Sequence, residues 1–159
     1  MSATIASQAA PPALLCTFQV RDALCALDAT RVQEVIRLSR LTPVHHAPPE
    51  VAGIVNLRGK IVTVIDLGYT LGFSRSLPGT DSRVFILEDR NEFFGLLVDR
   101  VGEVVEVEPG QCQPPPANVP PRQARLFQAV CRANGQVVAI LRADAILADS
   151  EAGAAVQRT

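Results

Sequence analysis

Large aromatic side chains are scarce in this sequence, which has no tryptophan, one tyrosine and six phenylalanines among its 159 residues. Nearly half of the residues are nevertheless apolar, and only 19% are charged. That balance is typical of a globular chain with a buried core. The core must therefore be filled mainly by Ala, Val, Leu and Ile, and the length suits one domain or one fold made of two small subdomains.

The sequence also lacks a strong net charge, since its formal charge is −1 and its pI is about 6.1. This excludes the basic field through which proteins hold nucleic acid or anionic lipid. No apolar run approaches the roughly 18 residues of a membrane span, and residues 1–12 have no basic segment of a secretory signal. We expect a cytoplasmic protein without membrane insertion, with flexible tails over residues 1–12 and 150–159.

Metal-binding and disulfide motifs are missing. The four cysteines form no C-x-x-C pair and have no histidine at zinc-site spacing: Cys16, Cys25, Cys112 and Cys131. We expect free, reduced thiols, and the spacing leaves open a Cys16–Cys25 disulfide across a hairpin. The only histidines, His45 and His46, would point in opposite directions on an extended strand, so a solvated loop position is preferred to a shared metal site. The sequence therefore predicts neither a metal nor a cofactor.

Catalytic motifs are missing as well. A near match to a phosphate-binding loop begins at Gly53, but its glycines are one residue too far apart and Ile61 follows the lysine. Ser39, His46 and Asp66 supply the residue types of a hydrolase triad, yet no spacing brings them together. We expect no catalytic residue. An enzyme on a small β-barrel is the alternative from another class, and an activity screen would distinguish it.

What the chain does contain is a series of short apolar runs separated by turn residues. Strands are predicted at Leu14–Val20, Leu24–Leu27, Arg83–Glu88, Phe93–Val98 and Val101–Val107. Asn134-Gly135 gives the strongest hairpin signal. Regularly spaced strands with almost no long helix indicate a mainly β fold made of barrels or a sandwich. The adjacent Val104 and Val105 require that one faces outward or lies in a bulge.

Helix is expected only in short segments, near Thr30–Ile36, Gly68–Leu71 and 143–148. In the first, Val32, Val35 and Ile36 lie at helical spacing, and Asp28 or Thr30 can provide the cap.

Two loops are predicted between the strands. The polar stretch Ser74–Ser82 is expected to be the joint between two halves of the chain. The proline-rich stretch Gln113–Pro121 is expected to be extended.

The most informative segment is Gly-Ile-Val-Asn-Leu-Arg-Gly-Lys-Ile-Val-Thr-Val-Ile-Asp-Leu at positions 53–67. Two apolar runs flank Asn56-Leu57-Arg58-Gly59, where Asn and Gly favour a reversal of the chain. The run Ile61–Ile65 predicts a fully buried strand. Arg58 would stand on the turn, and its guanidinium is suited to bind a carboxylate or carbonyl.

This segment resembles the G-[VI]-x-N-L-R-G-x-[IV]-x-[PTV]-[VI]-[IV]-D-L signature of CheW-like chemotaxis coupling proteins. Weaker matches follow the family's order at positions 16–18, 32–35, 41–44, 95–101 and 140–144. The resemblance implies two small five-stranded SH3-like barrels packed together, interwound and sharing a hydrophobic seam, over residues 13–149. It implies a non-catalytic adaptor between the cytoplasmic tip of methyl-accepting chemoreceptors and the regulatory domain of a CheA-type histidine kinase.

Carried over residue by residue, the family's receptor-binding groove corresponds to Val32, Glu34, Gly53, Arg58 and Val104. No residue is assigned to kinase binding. Other roles stay open: Val32 as core, Gly53 as a backbone requirement, and Glu34 or Asp66 as an internal partner of Arg58. A second functional alternative is a scaffold of this fold that binds a kinase in a motility or biofilm pathway without receptor contact.

Overall fold

A computed structural model describes residues 13–38 and 40–148, so the predictions for both tails and for Ser39 lie outside the described residues. The eleven strands of this part of the chain are β1 Ala13–Val20, β2 Ala23–Asp28, β3 Val32–Arg37, β4 Val51–Leu57, β5 Lys60–Asp66, β6 Arg83–Asp89, β7 Glu92–Val98, β8 Arg100–Val107, β9 Cys112–Gln113, β10 Phe127–Ala133 and β11 Gln136–Leu141. The α-helices are short: α1 Leu67–Thr70, α2 Pro121–Ala124 and α3 at 143–148.

The strands form two mixed sheets, and the prediction of a mainly β fold with two small barrel-like units is confirmed. One sheet has six strands in the order β8-β1-β2-β11-β10-β9, and the other has five in the order β3-β6-β7-β5-β4. Most neighbours are antiparallel, but β11 pairs with β2 and β5 pairs with β7 in parallel. From Ala13 onward the chain starts in the six-stranded sheet, forms the five-stranded sheet, and then returns to the first. The two units are therefore interwound.

Each sheet curls so that the two ends of its strand order approach each other. In the six-stranded sheet β10 contacts the opposite edge strand β8, and β9 continues from β8 through a 3₁₀ turn at Pro109–Gln111 to pair with β10. In the five-stranded sheet the connection after β3 lies against β4, where Thr42 and Ile54 exchange backbone hydrogen bonds of 2.9 and 2.8 Å.

One hydrophobic cluster fills the space between the two sheets. Phe18 of β1 meets Phe85 of β6 edge to face, with ring centroids 5.1 Å apart. Buried residues of β2, β5 and β7 join the same cluster, and Ile146 and Leu147 of α3 pack into it. Each sheet also has its own smaller cluster. The expected shared seam therefore holds the two units together, and aromatic–aromatic packing contributes beyond the area that it buries.

The predicted helical segment at Thr30–Ile36 is wrong. Asp28 does cap a single 3₁₀ turn, Ala29–Arg31, by accepting from the Thr30 N–H at 2.9 Å. From Val32 onward, however, the chain is strand β3, paired with β6 and alternately half-buried and exposed. Valine and isoleucine fit a pleated surface at least as well as a helix. Pairing with β6 decided the outcome.

Two further expectations need correction. Ile61 is 61% exposed at the hairpin end of β5, so the strand is buried only from Val62 onward. The loop Ser74–Ser82 is not the joint between the two units, because it connects β5 and α1 to β6 within the five-stranded sheet.

The ambiguity at Val104 and Val105 is resolved by ordinary strand alternation, because both pair in regular register with β1 and the bulge on β8 lies before them, between Val101 and Val104. The register with β1 shifts between Cys16 and Phe18, and the Thr17 hydroxyl donates to the Glu103 carbonyl at 2.5 Å. Val104 faces outward and Val105 packs on the core.

The prediction of four free thiols is also wrong, because Cys112 and Cys131 form a disulfide. Cys16 and Cys25 are free, and they do not face each other: Cys16 pairs with Leu27, and Cys25 pairs with Phe18. No helix within residues 13–38 and 40–148 is long and apolar enough to cross a membrane.

Candidate docking surface

The turn between β4 and β5 presents Arg58 to solvent, as predicted. Arg58 and Gly59 both have positive φ, 48° and 85°, and Leu57 pairs with Lys60 on either side of them. This two-residue loop has the φ signs of a type I′ turn, the form that suits the twist of a hairpin. The Asn56 side chain closes the turn by accepting from the Gly59 N–H at 2.9 Å. An arginine in a left-handed conformation is uncommon, and such positions often accompany function.

Arg58 pairs with Glu34 of β3. Each of the two terminal guanidinium nitrogens donates to one carboxylate oxygen, Nη1 to Oε2 at 3.3 Å and Nη2 to Oε1 at a shorter distance. Because β3 and β4 are the two edge strands of the five-stranded sheet, this pair bridges its edges. Of the alternatives left open for Arg58, the structure selects Glu34.

The Arg58–Glu34 pair stays accessible to solvent. The Arg58 side chain is 70% exposed and that of Glu34 is 34% exposed. The hydrogen bond from Arg58 lowers the pKa of Glu34 below its usual value, and the same bond raises the pKa of Arg58. Water solvates both charges at this degree of exposure, which limits what the pair contributes to stability. Either partner can therefore exchange it for a complementary group on another protein.

Gly53 lies on β4 next to Ile54, where the strand contacts the segment after β3 through Thr42. It is buried, and its φ of +154° is a conformation that other residues rarely adopt. A Cβ at this position would lie 2.5 Å from the Thr42 carbonyl oxygen and 3.0 Å from Leu41 side-chain atoms. The structure therefore gives Gly53 a backbone role, one of the two roles that the sequence left open.

Val32 and Val104 occupy different sheets. Val32 begins β3 and is half-buried against the shared core. Val104 lies on β8, the edge strand of the six-stranded sheet, and is 60% exposed. Of the five candidate residues, the structure brings Glu34 and Arg58 into contact and places Val104 on a separate element.

A polar network that sequence reasoning missed surrounds Asp66. This buried carboxylate caps α1 through the Tyr69 N–H at 3.1 Å, and it accepts from the Ser76 N–H at 2.7 Å and the Ser76 hydroxyl at 2.6 Å. Arg21, on the β1–β2 turn, donates to the Ser76 hydroxyl at 3.2 Å and to Asp99. Asp66 is therefore not the partner of Arg58. The position of Asp66 within the 53–67 signature could have indicated its structural role, whereas no feature of the sequence singled out Ser76.

The histidines lie at a solvent-exposed turn, as preferred from the sequence, and not on an extended strand. His45 and His46 lie in a turn, His46 has a φ of 63°, and their ring centroids are 4.2 Å apart. Within the described ranges, no three His, Cys, Asp or Glu side chains are grouped as metal ligands would be.

Comparison with known proteins identifies the family and the fold. The sequence model of the CheW-like domain matches residues 14–151. The chain is 26% identical over 141 residues to the chemotaxis protein CheW of Rhizobium meliloti, covering 89% of this chain and 91% of that protein. It is 28% identical over 131 residues to CheW of Thermotoga maritima, covering 82% and 85%. The crystal structure of the scaffolding protein TtCheW from Thermoanaerobacter tengcongensis superposes with a TM-score of 0.75 at 30% identity, covering 84% and 86%.

Proposed function

The chain belongs to the CheW-like domain family, and from this premise we propose that it is a non-catalytic adaptor that couples chemoreceptors to a CheA-type histidine kinase. It would act in the cytoplasm at membrane-bound receptor arrays. Its partners would be the cytoplasmic tip of methyl-accepting chemoreceptors and the regulatory domain of the kinase. No cofactor is required for this role.

The observation that carries the proposal is the exposed Arg58–Glu34 pair on the signature turn. A planar guanidinium held on a left-handed turn presents donors in a fixed direction, and a receptor carboxylate or helix-end carbonyl can accept them. The glutamate next to it can accept from a basic or amide side chain of the same partner. Because both groups are already solvated, docking removes little that stabilises the free protein.

The proposed receptor-binding residues then fall into two groups. Glu34, Arg58 and Val104 are accessible and would make direct contact, with Val104 supplying an apolar anchor. Val32 and Gly53 would shape the surface from below, Val32 through the core at the start of β3 and Gly53 through its close approach to Thr42. A few anchors within a polar rim are the usual composition of such an interface.

The kinase contact rests on the family alone, and no residue is assigned to it. The family's kinases have a regulatory domain of the same fold, so one barrel end would pack against another. We expect the purified protein and that regulatory domain to form a complex of micromolar strength, burying on the order of 1,200 Å² or more. Isothermal calorimetry and co-elution measure it. Absence of both heat and co-elution would exclude the coupling role.

The receptor contact is tested at Arg58. Arg58→Ala should weaken binding to a receptor cytoplasmic fragment about ten- to hundred-fold, because it removes hydrogen bonds from a charged group. Arg58→Lys should restore only part of the affinity, since a single ammonium cannot reproduce the planar fork. Arg37→Ala is the matched control, because Arg37 is an exposed arginine on β3 whose side chain alternates away from Glu34.

Melting temperatures measured on the same preparations separate recognition from folding. Arg58→Ala should melt within about 3 °C of the parent protein, as expected for an exposed pair. An early melt with unchanged receptor affinity would assign Arg58 a purely structural role. Kinase binding without any receptor binding by the parent protein would favour the alternative of a scaffold in a motility or biofilm pathway.

A further inference from the structure

Cys112 and Cys131 are directly opposite each other on β9 and β10. They are one of only two paired positions that join these strands, the other being Val130 and Gln113. Strand β9 is two residues long, and the five prolines at positions 114–121 follow it closely. A two-position ladder next to a segment poor in backbone donors gives weak attachment. The disulfide is therefore the main fastening of β9 to β10.

This fastening lies where the six-stranded sheet closes. Strand β8 is one edge of that sheet, and the 3₁₀ turn Pro109–Gln111 leads from it directly into β9 at the other edge. The turn adds little, through a 3.3 Å bond from the Gln111 side chain to the Arg132 carbonyl. Without the disulfide, β9 would be attached to β10 near Val130 and Cys131 only by the two-position ladder and the Gln111 bond.

The two cysteines differ in accessibility, and this difference determines which sulfur an external thiol or disulfide attacks. Cys131 is 1% exposed within a small apolar cluster, whereas Cys112 is half-buried at its margin. A small thiol or disulfide can thus reach Cys112 but not Cys131. The other two thiols are poor competitors: burial raises the pKa of Cys25 to about 12, and burial together with the Asp28 carboxylate raises that of Cys16. Thiolates, not thiols, carry out exchange.

We propose that Cys112 and Cys131 are a reversible thiol–disulfide exchange site, closed by a small disulfide such as oxidised glutathione, whose state determines whether β9 is fastened over the edge of β10. In closing, the Cys112 thiolate attacks oxidised glutathione, breaks its S–S bond and releases one glutathione thiolate. The Cys131 thiol gives its proton to solvent and attacks the Cys112 sulfur, which releases the second glutathione thiolate. The pair loses two electrons and the glutathione disulfide gains them.

Opening reverses these steps. A glutathione thiolate attacks the accessible Cys112 sulfur, and Cys131 leaves as the thiolate and is protonated. A second glutathione then reduces the mixed disulfide and restores the Cys112 thiol. This site is independent of the adaptor role and of Arg58, so its failure and the failure of receptor binding are separate results.

The redox equilibrium is measured by incubating the full chain in glutathione buffers of different composition, trapping free thiols and determining mass. The ratio of disulfide to dithiol should change about tenfold for each tenfold change in oxidised glutathione over the square of reduced glutathione. Half-oxidation should fall within buffers that contain an excess of reduced glutathione. A bond that persists in a large excess of reduced glutathione would be a fixed structural disulfide, and a pair that stays reduced in oxidised glutathione would not be a site. Either result overturns the proposal.

The structural consequence is measured by hydrogen exchange on the oxidised and reduced full chain. Reduction should speed exchange about tenfold or more in residues 108–113 and 130–133, while β6 and β7 stay unchanged. Cys112→Ser should match the reduced state under all conditions. Cys16→Ser, also half-buried, is the matched control and should still switch. Equal exchange in both redox states, or an equal increase throughout the chain, would contradict a local fastening. The parent protein supplies this comparison even if Cys112→Ser does not fold.

Discussion

Arg58 and Glu34 carry the electrostatics of the proposed docking surface. The hydrogen bond from Arg58 lowers the pKa of Glu34, so the pair's contribution to stability is complete above the unfolded-state pKa of the glutamate. It is lost as the pH falls through the lower folded-state pKa. The pKa of Arg58 is shifted in the opposite direction, upward, so its contribution to stability is lost only as the pH rises to very alkaline values. Across neutral pH the pair is therefore fully charged and available to a partner.

The first prediction is that Arg58→Ala raises the pKa of Glu34 back toward the ordinary value of a glutamate. Arg58→Lys should give an intermediate value, and added salt should reduce the difference between parent and variant because both groups are exposed. Carbon-detected NMR titration of the Glu34 carboxyl measures it. Arg37→Ala, which removes the same charge from the other side of β3, should leave it in place. If the pKa of Glu34 does not change in Arg58→Ala, the two groups do not pair in solution.

Among the secondary-structure elements, the β4–β5 hairpin sets the position of the docking turn. Its turn, the β6–β7 turn at Arg90-Asn91 and the β10–β11 turn at Asn134-Gly135 all have positive φ at both loop residues. The hairpin is then joined to the segment after β3 through Thr42 and Ile54, and Gly53 makes that approach possible. The turn therefore depends on a glycine that lies away from it.

The second prediction compares two glycines of this hairpin. Gly53→Ala should destabilise the protein by about 2 kcal/mol or more, because the added Cβ meets the Thr42 carbonyl oxygen in a backbone conformation unsuited to alanine. Gly59→Ala should cost only about 1 kcal/mol, since φ is also positive there but no atom lies within 4 Å. Urea unfolding of both variants measures the difference. Equal losses would show that the close approach to Thr42 does not exist in solution.

The whole molecule is held in one arrangement by the shared core and by the polar network around Asp66. Arg21 comes from the six-stranded sheet, Asp66 ends a strand of the five-stranded sheet, and Ser76 bonds to both. The side chain of Asp99, between β7 and β8, completes the connection by accepting from Arg21. The loop after α1 thus connects the two units through side-chain hydrogen bonds, in addition to the points where the backbone passes from one unit to the other.

The third prediction is that Ser76→Ala destabilises the protein by about 1–3 kcal/mol, because the buried Asp66 carboxylate loses a hydrogen bond. Amides of residues 74–82 should also exchange faster. Ser74→Ala is the control, since Ser74 contributes only its backbone carbonyl to Arg21. Thermal unfolding and hydrogen exchange measure both. Equal behaviour of the two variants would remove Ser76 from the network.

The sequence by itself determined most of the strands, the hairpin turns and the exposed position of Arg58. These features depend on neighbours within a few residues: alternation of apolar side chains, and Asn or Gly where φ must be positive. The 53–67 signature added the family and therefore the paired barrels. Only the tertiary structure decided β3, because Val32, Val35 and Ile36 fit a helix or a strand until β6 pairs with them. It likewise decided the partner of Arg58, the role of Asp66 and the pairing of Cys112 with Cys131. Each of these contacts joins residues 10 to 24 positions apart within one unit, so the pairing of strands and the closing of each sheet, which no local spacing encodes, bring them together.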